Sequence, residues 1–87
     1  MVTRNVQIIN ATGLHARPAA AFIKEVKKYP CKVTVGFHGE LINAKSIIAL
    51  MAAGIDCGSE VELRCEGEQE QEALEALCNA IASGLGE

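Results

Sequence analysis

Aromatic residues and positive charge are both scarce in this sequence. It has no tryptophan, one tyrosine and two phenylalanines among 87 residues, and its formal net charge is −3. Proteins that bind nucleic acid usually present a basic face to the phosphates and aromatic rings on which bases stack. We therefore expect no nucleic acid among the partners of this chain.

Long apolar runs are also missing. No stretch approaches the roughly 18 consecutive apolar residues of a membrane-spanning helix, and the first residues lack the apolar segment of a secretory signal peptide. We therefore expect a cytoplasmic protein that does not insert into a membrane. Hydrophobic residues nevertheless make up 49% of the chain, which predicts one folded domain over residues 1–87.

The cysteines do not stand in a metal-binding or redox pattern. There are four: Cys31, Cys57, Cys65 and Cys78. Their separations of 26, 8 and 13 residues include no C-x-x-C pair, which argues against a zinc site. His38 is predicted to lie in a turn and completes no ligand set. We expect free structural thiols, no metal and no cofactor.

Several segments alternate apolar and polar residues with the period of two that is typical of half-buried strands. They are residues 2–8, 32–37 and 60–66. A turn at His38 and Gly39, followed by Glu40 to Asn43, completes a hairpin with the second of them. Because every strand has one polar face, we expect a four-stranded antiparallel sheet with helices on one face and water on the other.

Three segments have apolar residues at helical spacing. The first carries Ala19, Phe22, Ile23 and Val26 and stops at Pro30, with Lys27 and Lys28 near its end. The second, residues 47–53, is short and apolar on all sides. The third runs from about Gln69 to Ser83 and is followed by Gly84 and Gly86. Its apolar stripe consists of Leu74, Leu77, Cys78 and Ile81. The order β-α-β-β-α-β-α predicts an α+β open-faced β-sandwich with three helices on one face.

The segment GLHARPA, residues 13–19, joins the first strand to the first helix. Its glycine allows a tight turn, so His15 is expected at the helix entrance. The first backbone N–H groups of a helix have no intrahelical partner, and the helix dipole favours an anion there. Pro18 is tolerated in the first turn and leaves the amides of Ala16 and Arg17 available to a phosphate.

His15 and Arg17 have the chemistry of a phosphoryl site. A neutral imidazole has a lone pair near pH 7, as a nucleophile requires. Once phosphorylated, it would carry a charge of about −1.5 to −2, which the helix dipole and the guanidinium fork of Arg17 would stabilise. From the residues alone, His15 could also be only a turn or cap residue.

Ser46 precedes the short apolar helix and is a good N-cap residue. If Leu50 faces the core, then Ile47, Ile48 and Met51 share an exposed ridge. An exposed apolar patch usually marks a surface that binds a partner. The sequence therefore predicts a docking ridge directly after Ser46.

GLHARPA, followed about thirty residues later by NAKSI at residues 43–47, closely resembles the HPr family. These proteins are the histidine phosphocarriers of the bacterial sugar phosphotransferase system, and the resemblance runs nearly end to end. It implies that His15 accepts a phosphoryl group through Nδ1 from phosphorylated enzyme I and passes it to an enzyme IIA domain. It also implies that Arg17 is the charge partner of His15, and that the protein is a phosphocarrier rather than an enzyme.

The resemblance further implies a docking surface for enzyme I and enzyme IIA. The residues it assigns to that surface are Ala16, Ala20 and Lys24 with Ile47, Ile48 and Met51. In many HPr proteins the serine in the position of Ser46 is phosphorylated by HPr kinase/phosphorylase, and a transcriptional regulator is a further possible partner. A dianion beside the ridge is expected to weaken docking with little unfolding. We expect a monomer.

Two other interpretations remain open. An HPr-like paralogue in a nitrogen-related phosphotransfer chain would use His15 for regulation without transport, although the Lys45-Ser46 pair favours the sugar type. Alternatively, the chain is an interaction module in which His15 only caps the helix and the ridge binds a regulator. Arg17 argues against this module, because a cap alone needs no neighbouring cation.

Overall fold

The elements occur in the order that the sequence predicts. The computed structural model of the protein describes residues 1–85, so Gly86, which was expected to help end the last helix, lies outside them. In chain order the elements are β1 (Val2–Gln7), α1 (Ala16–Val26), β2 (Lys32–Phe37), β3 (Glu40–Asn43), α2 (Ile47–Ala52), β4 (Glu60–Glu66) and α3 (Glu70–Ala82). The predicted open-faced sandwich is confirmed.

The four strands form one antiparallel sheet in the order β1-β4-β2-β3. The inward residues of the two central strands are buried, namely Val33, Val35 and Phe37 in β2 and Val61, Leu63 and Cys65 in β4. The residues between them face solvent, at least in part. The sheet therefore has one apolar face and one polar face, as the alternation predicts.

The helices cover the apolar face. The buried residues of α1 include Ala19, Phe22, Ile23 and Val26, and those of α3 include Leu74, Leu77, Cys78 and Ile81, so both predicted stripes are confirmed. Helix α1 ends before Lys27 and Lys28, which the sequence places near its last turn. Lys27 is its C-cap and Lys28 lies beyond it, which leaves Lys24 as the one basic residue in the last turn.

The predicted turn at His38 and Gly39 is also confirmed. His38 has φ +50° and Gly39 has φ +80°, and a two-residue hairpin turn of type I′ requires φ above zero at both central residues. His38 is exposed at the tip of this turn, at the end of β2.

The start of α3 is stabilised by an acidic side chain. The Gly67 N–H donates to Glu70 Oε1 at 3.0 Å, and the amino terminus of Met1 lies 3.2 Å from the other oxygen. The backbone hydrogen bond, followed by the charge of the terminus, holds the pKa of the Glu70 carboxyl below its usual range. A carboxylate is favoured in the first turn of a helix.

All four cysteines are free, but they are not alike. Cys31, Cys65 and Cys78 are buried, as expected for structural thiols. Burial raises the pKa of Cys65 to about 12, and the nearby Cys31 and Cys78 thiols add to this effect, so Cys65 stays protonated. Cys57 departs from the expectation, because it is exposed and does not belong to the core.

No helix within residues 1–85 is long and apolar enough to cross a membrane. No group of three His, Cys, Asp or Glu residues in the same range is arranged to hold a metal ion.

The loop between β1 and α1 lies against the segment that leads into β4. The Leu14 N–H donates to the Ile55 carbonyl at 2.9 Å. Gly13 has φ +68°, and a Cβ there would overlap the Ile55 carbonyl oxygen and lie 2.7 Å from Asp56 Cα. Only glycine fits this approach, which sets the position of His15, two residues later.

Replacing Gly13 with alanine should therefore lower the free energy of unfolding by about 3 kcal/mol, because a strained φ is combined with overlap against backbone atoms. Gly39→Ala is the matched control: its φ is also positive, but a Cβ there would meet nothing within 4 Å. The control should lose only about 1 kcal/mol. Urea unfolding of both variants measures the difference, and equal losses would contradict the steric argument.

Candidate functional site

His15 is the N-cap residue of α1, as the sequence predicts. Its backbone is extended, with φ −126° and ψ 155°, and its side chain makes no capping hydrogen bond. About a third of the side chain is exposed (35%). The imidazole is therefore accessible at the helix entrance and does not serve the cap, which weakens the interpretation of His15 as a purely structural residue.

Ala16 gives the helix entrance an unusual backbone. Its φ is +49°, a left-handed conformation that few non-glycine residues adopt. The next residue, Arg17, is helical, and an alternation of left- and right-handed residues is typical of backbone nests that bind anions. In the part of the chain that the structure describes, the amides of Ala16 and Arg17 donate to no carbonyl outside α1.

Arg17 and Pro18 complete the entrance. Arg17 is exposed, and its guanidinium forms no ion pair with residues 1–85. Pro18 is buried in the first turn of α1, where its missing N–H costs the helix no hydrogen bond. Two backbone amides, an exposed cation and an imidazole thus occur together at one helix N-terminus.

Asp56 is a site residue that the sequence analysis missed. Its Oδ1 lies 3.5 Å from His15 Nε2, although 79% of its side chain is exposed. Nothing in the local pattern around Asp56 indicates this contact, since it arises from the packing of the His15 loop against the segment before β4. Gly13 is the residue that could have indicated this contact, because a glycine in a loop often allows another backbone segment to approach closely.

Ser46 caps α2, and this prediction is confirmed. Its Oγ accepts a hydrogen bond from the Ala49 N–H at 3.2 Å. Just before it, Asn43 Oδ1 accepts from the Lys45 N–H at 2.9 Å. The side chain of Ser46 is partly exposed, so it remains accessible while it stabilises the helix.

The predicted orientation of α2 is confirmed as well. Leu50 is fully buried, whereas Ile47, Ile48 and Met51 are 40%, 78% and 42% exposed. The short helix buries Leu50 in the core and leaves its three other large side chains exposed to solvent. This ridge is a contiguous feature of one helix, unlike the scattered exposed residues Met1, Ile9 and Leu41.

An open groove joins this ridge to the first helix. It is lined by Ala20, Ile23, Lys24, Lys27, Lys45 and Ile47. Ala16, Ala20 and Lys24 are exposed on α1. We call the groove, together with Ala16, Ile48 and Met51, the α1–α2 surface; it combines apolar side chains with three lysines.

Comparison with known proteins identifies the family. The family model PTS-HPr, described as the PTS HPr component phosphorylation site, matches residues 2–83. The chain belongs to the HPr family. HPr is a phosphocarrier protein of the phosphotransferase system and not an enzyme, which agrees with the resemblance seen in GLHARPA and NAKSI.

Two relatives in the HPr family are similar to this chain over most of its length. The phosphocarrier protein HPr of Pseudomonas aeruginosa is 43% identical over 88 residues, which cover 100% of this chain and 98% of the relative. The HPr-like protein Crh of Halalkalibacterium halodurans is 44% identical over 77 residues, which cover 88% of this chain and 92% of the relative.

A solved structure agrees with the fold. The crystal structure of HPr-C-His from Thermoanaerobacter tengcongensis has a TM-score of 0.96 and 41% identity, covering 100% of this chain and 98% of the other. A structure described as the HPr dimer from the same organism has a TM-score of 0.79, with 41% identity and full coverage of both chains. Relatives of this chain thus include a dimer, and the monomer stays a prediction for this chain.

The N-cap of α2 gives a stability prediction. Ser46→Ala should lower the free energy of unfolding by about 1 kcal/mol, because the Ala49 N–H loses its acceptor. Ser46→Asp should stay close to the wild type, since aspartate also caps a helix and its charge suits the dipole. Thermal unfolding of the three proteins measures both changes. An alanine variant as stable as the wild type would show that the cap does not stabilise α2.

Proposed function

We propose that this protein is a phosphocarrier of the sugar phosphotransferase system, which accepts a phosphoryl group on His15 from phosphorylated enzyme I and passes it to an enzyme IIA domain. One observation carries the proposal. The accessible imidazole of His15 stands at the N-terminus of α1 without serving the cap, beside the amides of Ala16 and Arg17 and the Arg17 guanidinium, which forms no ion pair within residues 1–85.

The chemistry needs little from the protein beyond position and charge. The Nδ1 lone pair of His15 forms a bond to phosphorus while the bond between phosphorus and the donor atom of enzyme I breaks. The bound group then carries a charge of about −1.5 to −2, which the helix dipole, the amides of Ala16 and Arg17, and the Arg17 guanidinium stabilise. The acceptor on enzyme IIA takes the group by the reverse step, and His15 is restored.

The α1–α2 surface is the proposed docking site for both partners. Its exposed apolar ridge fits a protein interface, since such patches usually mark one. Lys24, Lys27 and Lys45 lie along the groove, and positive charge there favours encounter with an acidic partner. A single surface beside a single histidine suits a carrier that meets donor and acceptor in turn.

Ser46 is the proposed regulatory position. A phosphoryl group on Oγ would sit at the N-terminus of α2, where the dipole tolerates it, and directly before Ile47 of the ridge. The fold should therefore survive while docking weakens. The partner for this modification is HPr kinase/phosphorylase, and a transcriptional regulator is a further candidate partner of the modified form.

The relation to Crh favours a second candidate function. That relative is named HPr-like rather than a phosphocarrier, so this chain could instead act through the α1–α2 surface as a regulatory interaction protein. A nitrogen-related phosphotransfer role would keep the His15 chemistry without transport. For the main proposal we place the protein in the cytoplasm, where enzyme I uses phosphoenolpyruvate, and expect it to act there as a monomer.

Phosphorylation by enzyme I separates the two phosphotransfer roles from the regulatory interaction protein. After incubation with enzyme I, phosphoenolpyruvate and magnesium, the wild type should gain one acid-labile phosphoryl group and His15→Ala should gain none. The matched control is His38→Ala, which removes an exposed histidine from the hairpin and should be phosphorylated like the wild type. Intact mass measures all three proteins before and after acid treatment.

The outcome is decisive when enzyme I is first shown to phosphorylate a known HPr. No gain in the wild type would then refute the carrier function and favour the regulatory interaction protein. A gain that persists in His15→Ala would place the chemistry on another residue.

Docking gives a separate prediction. Ile48→Ala should weaken binding to enzyme I by roughly 5- to 30-fold, as truncation of an interface anchor does, and should change stability by only about 0.5 kcal/mol because the residue is exposed. Leu41→Ala is the matched control, since Leu41 is 58% exposed on β3 and lies outside the α1–α2 surface. Ser46→Asp should also weaken binding. Titration calorimetry measures each variant, and equal effects of Ile48→Ala and Leu41→Ala would argue against this docking site.

A further inference from the structure

We propose that Asp56 is a positioning residue for the phosphoryl transfer, holding the imidazole of His15 with its Nε2 proton towards the Asp56 carboxylate and Nδ1 free for phosphorus. The proposal rests on the carrier function proposed above. It adds a residue that is distant in sequence from GLHARPA and that acts through His15 without touching the phosphoryl group.

The contact has the chemistry that such a role requires. Asp56 Oδ1 lies 3.5 Å from His15 Nε2, and an ionised carboxylate only accepts hydrogen bonds. The neutral imidazole that suits this contact is therefore the tautomer with its proton on Nε2 and its lone pair on Nδ1. The separation is longer than an optimal hydrogen bond, and contacts of this kind commonly tighten when the reacting partner closes over the site.

The backbone of Asp56 is well fixed even though its side chain is exposed. Its N–H donates to Ser59 Oγ at 3.2 Å, and its carbonyl accepts from the Ser59 N–H at 3.0 Å. The preceding residue, Ile55, accepts from the Leu14 N–H. The same backbone contacts thus position both His15 and the residue that faces it.

The groups around the ring carry charges of opposite sign. Helix α1 supplies its positive N-terminus and Arg17, which suit a phosphoryl group. The segment before β4 supplies Asp56, and within residues 1–85 no other carboxylate lies at ion-pair distance from His15. The neighbouring thiol of Cys57 is directed to the Ile9 carbonyl, 3.7 Å away, and so does not compete for Nε2.

This arrangement helps both halves of the transfer. When Nδ1 forms its bond to phosphorus, the Nε2 proton stays on the ring, which becomes cationic, and the Asp56 carboxylate balances that charge. When the group leaves, the electron pair of the breaking bond returns to Nδ1. Because Nε2 still has its proton, the leaving group is a neutral imidazole rather than an imidazolide anion.

The first test does not depend on any partner. Nitrogen-15 spectra of the imidazole in the unphosphorylated protein, above the pH at which it is protonated, report the tautomer. The wild type should show mainly the form with the proton on Nε2, and Asp56→Asn should shift the population towards the form with the proton on Nδ1. The Asp56→Asn protein keeps the backbone hydrogen bonds, and its amide spectrum verifies that it is folded. Identical tautomer populations in the two proteins would overturn the proposal.

The second test uses the phosphorylated proteins, purified away from enzyme I. Loss of the Asp56 charge should move the midpoint of the pH profile of phosphohistidine hydrolysis to lower pH by about 0.5 unit, as expected for an exposed ion pair. In mildly alkaline buffer this corresponds to hydrolysis roughly threefold slower than in the wild type. Asp56→Glu, which keeps the charge, should restore most of the wild-type profile. A profile unchanged in Asp56→Asn would overturn the proposal.

A matched control excludes a general effect of surface charge. Glu60→Gln removes an exposed carboxylate at the start of β4 that makes no contact with His15, and its profile should equal that of the wild type. An equal shift in Glu60→Gln would also count against Asp56. If the wild type accepts no phosphoryl group, the carrier function fails instead, and the tautomer spectra still decide whether Asp56 orients the ring.

Discussion

The approach of the loop at Gly13 to the backbone of Ile55 and Asp56 is the contact on which the site depends. It follows from the sheet, because β1 pairs with β4 and the pairing continues beyond the strands through hydrogen bonds of Ile8 with Gly58 and Ser59. The chain that leaves β1 therefore runs beside the chain that enters β4. A side chain at position 13 would push the two apart, and His15 would lose its place at the start of α1.

The approach of the Gly13 loop to Ile55 and Asp56 also determines which charged groups lie near His15. The helix end and Arg17 provide positive charge at the helix entrance, where the proposed phosphoryl group would bind, and Asp56 places a carboxylate 3.5 Å from His15 Nε2. A carrier must bind the group firmly enough to receive it and loosely enough to release it. In the proposed carrier function, the helix end and Arg17 would stabilise the phosphoryl group and Asp56 would stabilise the cationic ring, so that different groups meet the two requirements.

Most of the fold could be predicted from local patterns. Alternation located the strands, helical spacing located the buried faces of α1 and α3, and the residues around Ser46 located both an N-cap and an exposed ridge. These features follow from local sequence because residues two apart in a strand, or three and four apart in a helix, lie on the same face. The placement of His15 at a helix entrance came from the same reasoning, with the resemblance to HPr adding the chemistry.

The remaining features depend on tertiary packing. The left-handed Ala16 has no sequence signal, because alanine is not a residue that favours positive φ. The contact between Asp56 and His15 depends on the pairing of β1 with β4. The periodicity of apolar residues does not specify which strands are neighbours in the sheet. Cys57 was expected to be a structural thiol like the other cysteines, but it lies in the exposed turn before β4 rather than on a buried strand or helix face.

In the proposed function, His15 carries a phosphoryl group that the N-terminus of α1 stabilises. Nuclear magnetic resonance of the nitrogen-15-labelled protein, before and after phosphorylation by enzyme I, tests it most directly. We expect phosphorus coupling to Nδ1 of His15, with the largest amide shift changes at Ala16 and Arg17. Coupling to a different residue, or amide changes that spare this helix entrance, would contradict the account.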